Sequence, residues 1–302
     1  MDNNAIIHTS GLTKYYGKQR GMVDISLDVR RGEVFGYLGP NGAGKTTTIR
    51  TLLNLIRPTR GIATIFGMDI QRKGLEVRRH TGYLPGELKL YDNLTGAEML
   101  RYLGHLSGGV DWARVENLAT RLDCDLLPPI RSLSHGNRQK IGLIQVFMNT
   151  PDLLILDEPT IGLDPLMQQE FYRLVSETKA RGRTVFLSSH IMPEVERICD
   201  RVAIIREGRL VTVEDIDNLK ARSIRRLEIH FAGPVSQEKF TEISGVKDVS
   251  VHDSVLTCTV VGELDALVKA ASQARVVNII SHEPSLEEIF LDYYNEEESI
   301  AE

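Results

Sequence analysis

Two rhythms of apolar residues divide the chain into elements. Short unbroken runs at 34–38, 153–156, 185–187 and 202–205 read as strands buried on both faces. Elsewhere the spacing is helical: Ile49, Leu52, Leu53 and Ile56 fall at i, i+3, i+4 and i+7. Strand-like and helix-like runs alternate up to about Lys220, which predicts an α/β domain, 1–220, on a largely parallel sheet. The run "IIREGRLV" predicts a hairpin turning at Glu207 and Gly208. Residues 94–127 carry helical patterning without clear strands, which predicts a helical lobe inserted between sheet strands, about 88–150.

The rhythm changes after about Ser223. Residues 225–233 alternate like a strand and 237–243 suit a short helix. "VKDVSVHDSVLTCTVVG" reads as two strands joined at Asp253 and Ser254. A helix is expected at 263–274, a strand at 275–280 and a last helix at 285–294. This order predicts a small C-terminal α+β domain of the ferredoxin-like kind, 221–302. It carries no catalytic constellation and reads as a structural or regulatory appendage.

Chemistry concentrates in the first domain. The stretch "LGPNGAGKTTTIR" fits G-x-x-x-x-G-K-[ST] through Gly39, Gly44, Lys45 and Thr46. It sits between an expected strand and an expected helix, the setting in which that pattern cradles nucleotide phosphates. Bare glycines let backbone amides at a helix start close on an anion. Lys45 should reach the β- and γ-phosphates, and the Thr46 hydroxyl should bind Mg²⁺. The run "PDLLILDEPT" then delivers Asp157 and Glu158 at the end of an apolar strand. Asp157 is placed to help hold Mg²⁺, and Glu158 to polarise a water toward the γ-phosphate.

Composition narrows the setting. A 302-residue chain with 42% hydrophobic and 25% charged residues suits a soluble protein of two domains. The net charge of −5 gives no electrostatic case for nucleic acid as the main partner. Cys124, Cys199 and Cys258 are scattered and odd in number, which argues against a disulfide framework or a local zinc motif. The start "MDNNAIIHTS" lacks the regions of a signal peptide, and no apolar run reaches the roughly 18–20 residues that cross a bilayer. A cytoplasmic protein is expected, reaching any membrane through a partner that carries the spans.

The order of segments is specific. "LSHGNRQK" lies just before "LLILDEPTIGLD", and "VFLSSH" follows. Over roughly residues 6–218 the chain resembles the nucleotide-binding subunit of an ATP-binding cassette (ABC) transporter. The resemblance implies an α/β P-loop NTPase cassette that binds and hydrolyses ATP with Mg²⁺. It makes Gly39, Pro40, Asn41, Gly42, Ala43, Gly44, Lys45, Thr46 and Thr47 the Walker A loop, and 153–157 the Walker B strand. It assigns Ser134, Gly136 and Asn137 to the signature, residues 162–164 to the D-loop, and His190 to the switch histidine. Tyr16 is implied to stack on adenine, with Tyr15 the neighbouring alternative. Glu158 and His190 become the catalytic pair, and Thr46 and Asp157 the metal ligands. The implied partners are a transmembrane permease and a second cassette packed head to tail, so that Ser134 and Gly136 of one copy face the nucleotide held by Lys45 of the other. The implied location is the cytoplasmic face of the membrane, and the implied role is export, since the layout through "PSLEEIFLDYY" is similar to drug or antibiotic exporters.

The chain also departs from the pattern. Gly86 falls where the family has a glutamine, and the adjacent Glu87 is expected to share that glutamine's role. His135 replaces a signature glycine and Asn137 a glutamine. A non-transport cassette acting on ribosomes or DNA is the alternative, but the chain has no second cassette, long coiled-coil insertion or basic arm. A module that holds ATP without hydrolysing it would not need Glu158 and His190. The kinase signatures HRD and DFG are absent.

Overall fold

The computed structural model describes residues 4–222 and 224–282. The chain divides into two compact units, Met1–Glu214 and Asp215–Glu302.

The first unit is built on a six-stranded sheet in the order Arg209–Asp215, Arg201–Arg206, Val34–Leu38, Thr184–Ser189, Leu153–Asp157, Thr81–Leu84. The last five run parallel. Val34–Leu38, Leu153–Asp157 and Thr184–Ser189 are buried at every position, as unbroken apolar runs covered on both faces require. Register decides where the chemistry goes. Leu38 pairs with Ser189, and Asp157 with Ser188. The carboxyl ends of three adjacent strands therefore finish level, at the edge where open parallel sheets bind ligands. The expected hairpin forms at Glu207 and Gly208, both at positive φ (48° and 73°), which suits a two-residue turn matched to strand twist.

A second, antiparallel sheet takes the order Gln19–Arg30, Ala5–Tyr16, Arg60–Ile65, Met68–Asp69. The expectation of a largely parallel sheet did not include it. Its Ile7, Leu12 and Ile25 share one core with Phe35 and Tyr37 of the parallel sheet and with Ile49 and Leu52 of the helix Lys45–Leu52. That helix is shorter than its apolar stripe predicts. Asn54 takes φ 51° and turns the chain, leaving Ile56 half-buried beyond the helix end. The helical lobe contains Gly96–Leu106, Trp112–Arg121 and His135–Met148. Each begins at a side-chain cap, Thr95, Asp111 and Ser134 respectively.

The second unit begins with the helix Ile216–Arg222. Its sheet has the order Val246–His252, Val255–Val261, Ile224–Phe231, Val276–His282, with every neighbouring pair antiparallel. The helices Glu238–Thr241 and Asp265–Ala271 contribute Phe240, Leu267 and Ala271 to a core with Leu227, Ile229, Leu256 and Cys258. The helix expected at 285–294 lies outside the described residues. All three cysteines are buried and free.

Candidate active site

The loop after Val34–Leu38 needs its glycines for close approach. A Cβ on Gly39 would stand 2.2 Å from the Ile205 carbonyl oxygen, and one on Gly44 2.6 Å from that of Gly21. Gly44 also takes φ 104°, a conformation that side chains resist. Pro40, Asn41, Gly42, Ala43, Gly44, Lys45, Thr46 and Thr47 line a cleft of about 420 Å³ together with Tyr16, Gln19, Arg20, Gly21 and Glu158. Tyr16 is half exposed there, with the Lys14 ammonium 5.3 Å from its ring centre. Tyr15 does not line the cleft. A larger hollow of about 750 Å³ lies against Arg78, Tyr83 and Leu103, away from the glycine loop.

Lys45 is buried, and its ammonium is fully engaged. It donates to the Gly39 carbonyl at 2.5 Å and the Pro40 carbonyl at 3.2 Å, and it pairs with Glu158 Oε1 at 3.0 Å. The other Glu158 oxygen lies 2.8 Å from His190 Nδ1. One carboxylate thus joins the phosphate-loop lysine to the histidine. Glu158 sits at φ 50°, a strained position of the kind that clusters at functional sites. Its amide holds that shape by donating to the Ser188 carbonyl at 3.2 Å and to Ser188 Oγ at 3.1 Å.

Ser188 was not among the expected site residues. Its hydroxyl also donates to Asp157 Oδ1 at 2.6 Å, so one serine orients both acids. The signal was legible in "VFLSSH", where two polar residues close an otherwise apolar strand. Asp157 is fully buried and its Oδ2 has no hydrogen-bond partner. A bare buried carboxylate oxygen is costly, and an oxygen-seeking cation is a partner that would satisfy it. Asp157 with the Thr46 hydroxyl fits Mg²⁺, which binds through one or two protein oxygens plus phosphates rather than through an all-protein cage. Among the described residues no group of three or more His, Cys, Asp or Glu could hold a metal ion.

Gly86 packs directly beside this acid: a Cβ there would lie 3.3 Å from Asp157 Oδ2. Glu87 is exposed.

Ser134, Gly136 and Asn137 do not line the cleft. Ser134 is exposed and caps His135–Met148, its Oγ accepting from the Asn137 amide at 3.3 Å. Gly136 is bare for a reason internal to the chain: a Cβ there would stand 2.5 Å from the Gly162 carbonyl oxygen. The expected role was close approach to a nucleotide; within one chain its bare face meets the 162–164 turn.

Comparison with known proteins decides the family. Residues 22–161 match the model described as ABC transporter. The chain is 39% identical over 235 residues to the bacitracin transport ATP-binding protein BcrA of Bacillus licheniformis, covering 76% of each chain. This protein belongs to the ABC transporter family. Similarity to the linearmycin resistance ATP-binding protein LnrL of Bacillus subtilis runs further, at 30% identity over 303 residues, 95% of this chain and 97% of that one. A solved ATP-binding subunit of an ABC transporter superposes with a TM-score of 0.65 at 33% identity, covering 71% of this chain and 92% of that one. The chain is therefore an ABC ATPase with the cassette form of the P-loop NTPase fold. ATP-binding subunits of this family form dimers and work with membrane permeases. Among the described residues no helix is long and apolar enough to cross a membrane.

Proposed function

We propose that this ABC ATPase drives export of a drug-like or antibiotic substrate through a separate membrane-spanning permease, from the cytoplasmic face. ATP would be held between the Walker A cleft of one copy and Ser134 and Gly136 of a second. The observation that carries the reading is the Lys45–Glu158–His190 array at the mouth of the glycine loop. A bound γ-phosphate would take the lysine from its carbonyl partners and place a water beside Glu158. Glu158 accepts that water's proton, His190 holds the carboxylate in line, and Lys45 stabilises charge developing on the phosphoryl oxygens. Thr46 and Asp157 would hold Mg²⁺, which would supply positive charge to offset that of the phosphates. Tyr16 would stack on the base. Glu87, beside Gly86, would share the contact that a glutamine makes in relatives.

The second unit's strand order and wholly antiparallel pairing support a ferredoxin-like domain. With the cassette at 1–220 and this domain at 221–302, it serves as an accessory module.

Phosphate release from Mg²⁺-ATP tests the central claim. Glu158→Gln should slow release by about 10²-fold or more while ATP still binds. Lys45→Ala should weaken binding itself. Unchanged turnover in Glu158→Gln sinks the mechanism. Co-purification with a membrane protein supports the permease partner, and co-purification with ribosomal RNA alone overturns it.

A further inference from the structure

The geometry points to Glu194 as a positioning residue for His190. The inference rests on the proposed role of His190, which is to hold the Glu158 carboxylate in line. The His190 side chain is 37% exposed, and its Nδ1 lies 2.8 Å from Glu158. Its place is set from the backbone on either side. Ser189, just before it, donates its hydroxyl to Glu194 Oε2 at 2.6 Å. The amide of Ile191, just after it, donates to that same Ser189 hydroxyl at 3.0 Å. The two bonds close a ring around the histidine, and Glu194 is its anchor.

Glu194 is an expensive anchor. It is 3% exposed, in a position where an apolar side chain would cost less. Ser189, on the strand that leads to His190, donates to one carboxyl oxygen, and the other, Oε1, is buried without a hydrogen-bond partner. The carboxyl therefore fixes the end of the strand that carries His190, whose 2.8 Å contact with Glu158 depends on that placement. Of Ser189, Glu194, His190 and Glu158 it is Glu158 that lines the nucleotide cleft, so the effect on chemistry passes through the histidine to Glu158.

The test compares Glu194→Ala, Glu194→Gln, Ser189→Ala and the double variant Ser189→Ala/Glu194→Ala by steady-state phosphate release, with thermal melting in parallel. Loss of either member should lower kcat about tenfold and leave KM for Mg²⁺-ATP within twofold. The double variant should be no slower than the slower single one, because both act along one path. Glu194→Gln keeps an acceptor oxygen for Ser189 and should restore most of the rate. A kcat within twofold of wild type in Glu194→Ala overturns the inference. So do additive losses in the double variant, or a Glu194→Gln variant as slow as Glu194→Ala. If Glu194→Ala does not fold, Ser189→Ala decides: slow with normal melting supports the anchor, normal kcat overturns it. His190→Ala separates the two levels. Full turnover there removes the underlying role of the histidine, whereas lost turnover beside a normal Ser189→Ala removes only the role of Glu194.

Discussion

Ser188 shows how much of the site rests on one hydroxyl. It gives its proton to Asp157 Oδ1 at 2.6 Å and takes the Glu158 amide proton at 3.1 Å. Ser188→Ala leaves Asp157 without a hydrogen bond on either oxygen and Glu158 with one fewer restraint on a strained backbone. We expect a stability loss of about 1–3 kcal/mol in denaturant unfolding, with slower phosphate release. Glu194 gives a residue-scale prediction in pH. Burial holds its carboxyl above the usual carboxylate value of 4.5, against the pull of the hydrogen bond from Ser189. A group raised on folding contributes stability below its unfolded pKa and loses that contribution as pH rises through its folded pKa. Glu194→Gln carries no such titration. Its stability relative to wild type should therefore climb from about pH 4.5 upward, then level off. Denaturation midpoints of the two proteins at pH 5 and pH 8 check the sign: a Glu194→Gln midpoint that falls relative to wild type between pH 5 and pH 8 rejects it.

At the scale of elements, the turn at 162–164 has a local duty of its own. Asp164 caps the helix Pro165–Ala180, its Oδ1 accepting from the Leu166 and Met167 amides at 3.0 Å each. Asp164→Ala should cost about 1 kcal/mol, read as a lower denaturant midpoint with an unchanged slope. The same scale shows what pattern alone can convey. Unbroken apolar runs such as "LLILD" announce a doubly covered strand, because every position is buried. The edge sheet was hidden for the opposite reason. Ala5–Tyr16 shifts register against its partner between Thr9 and Leu12, between Leu12 and Lys14, and between Lys14 and Tyr15. Gly11 lies among those shifts at positive φ, so the alternation that marks a strand is broken where it is needed. Ile56 misled in the other direction, since an apolar residue at helical spacing can fall after Asn54 has already turned the chain. The glycine loop and Asp157–Glu158 were readable because their spacing is fixed by phosphate geometry. The polar close of "VFLSSH" marked Ser188 and Ser189, but their roles and that of Glu194 were not readable, because register and chain turns bring their partners together.

At the scale of the whole molecule, one chain holds the parts of the proposed site in two places. Lys45 and Glu158 line the cleft, whereas Ser134, Gly136 and Asn137 lie outside it. If ATP is shared head to tail, each site takes its lysine from one copy and its serine from the other. The two halves can then be broken separately. Lys45→Ala spoils the cleft and leaves the exposed Ser134 intact; Ser134→Arg spoils the other face and leaves Lys45 intact. Each variant alone forms dimers in which both sites are defective, so each should be nearly inactive. A mixed dimer places both lesions in one site and leaves the second site whole. With equal amounts and random pairing, half the dimers are mixed and hold one good site of two, which sets recovery at up to about a quarter of the wild-type rate. Phosphate release measured on each variant and on their mixture at the same total concentration decides it. Recovery on mixing requires a site assembled from two chains. A mixture no faster than the mean of its parts means that Ser134 does not complete the site across an interface.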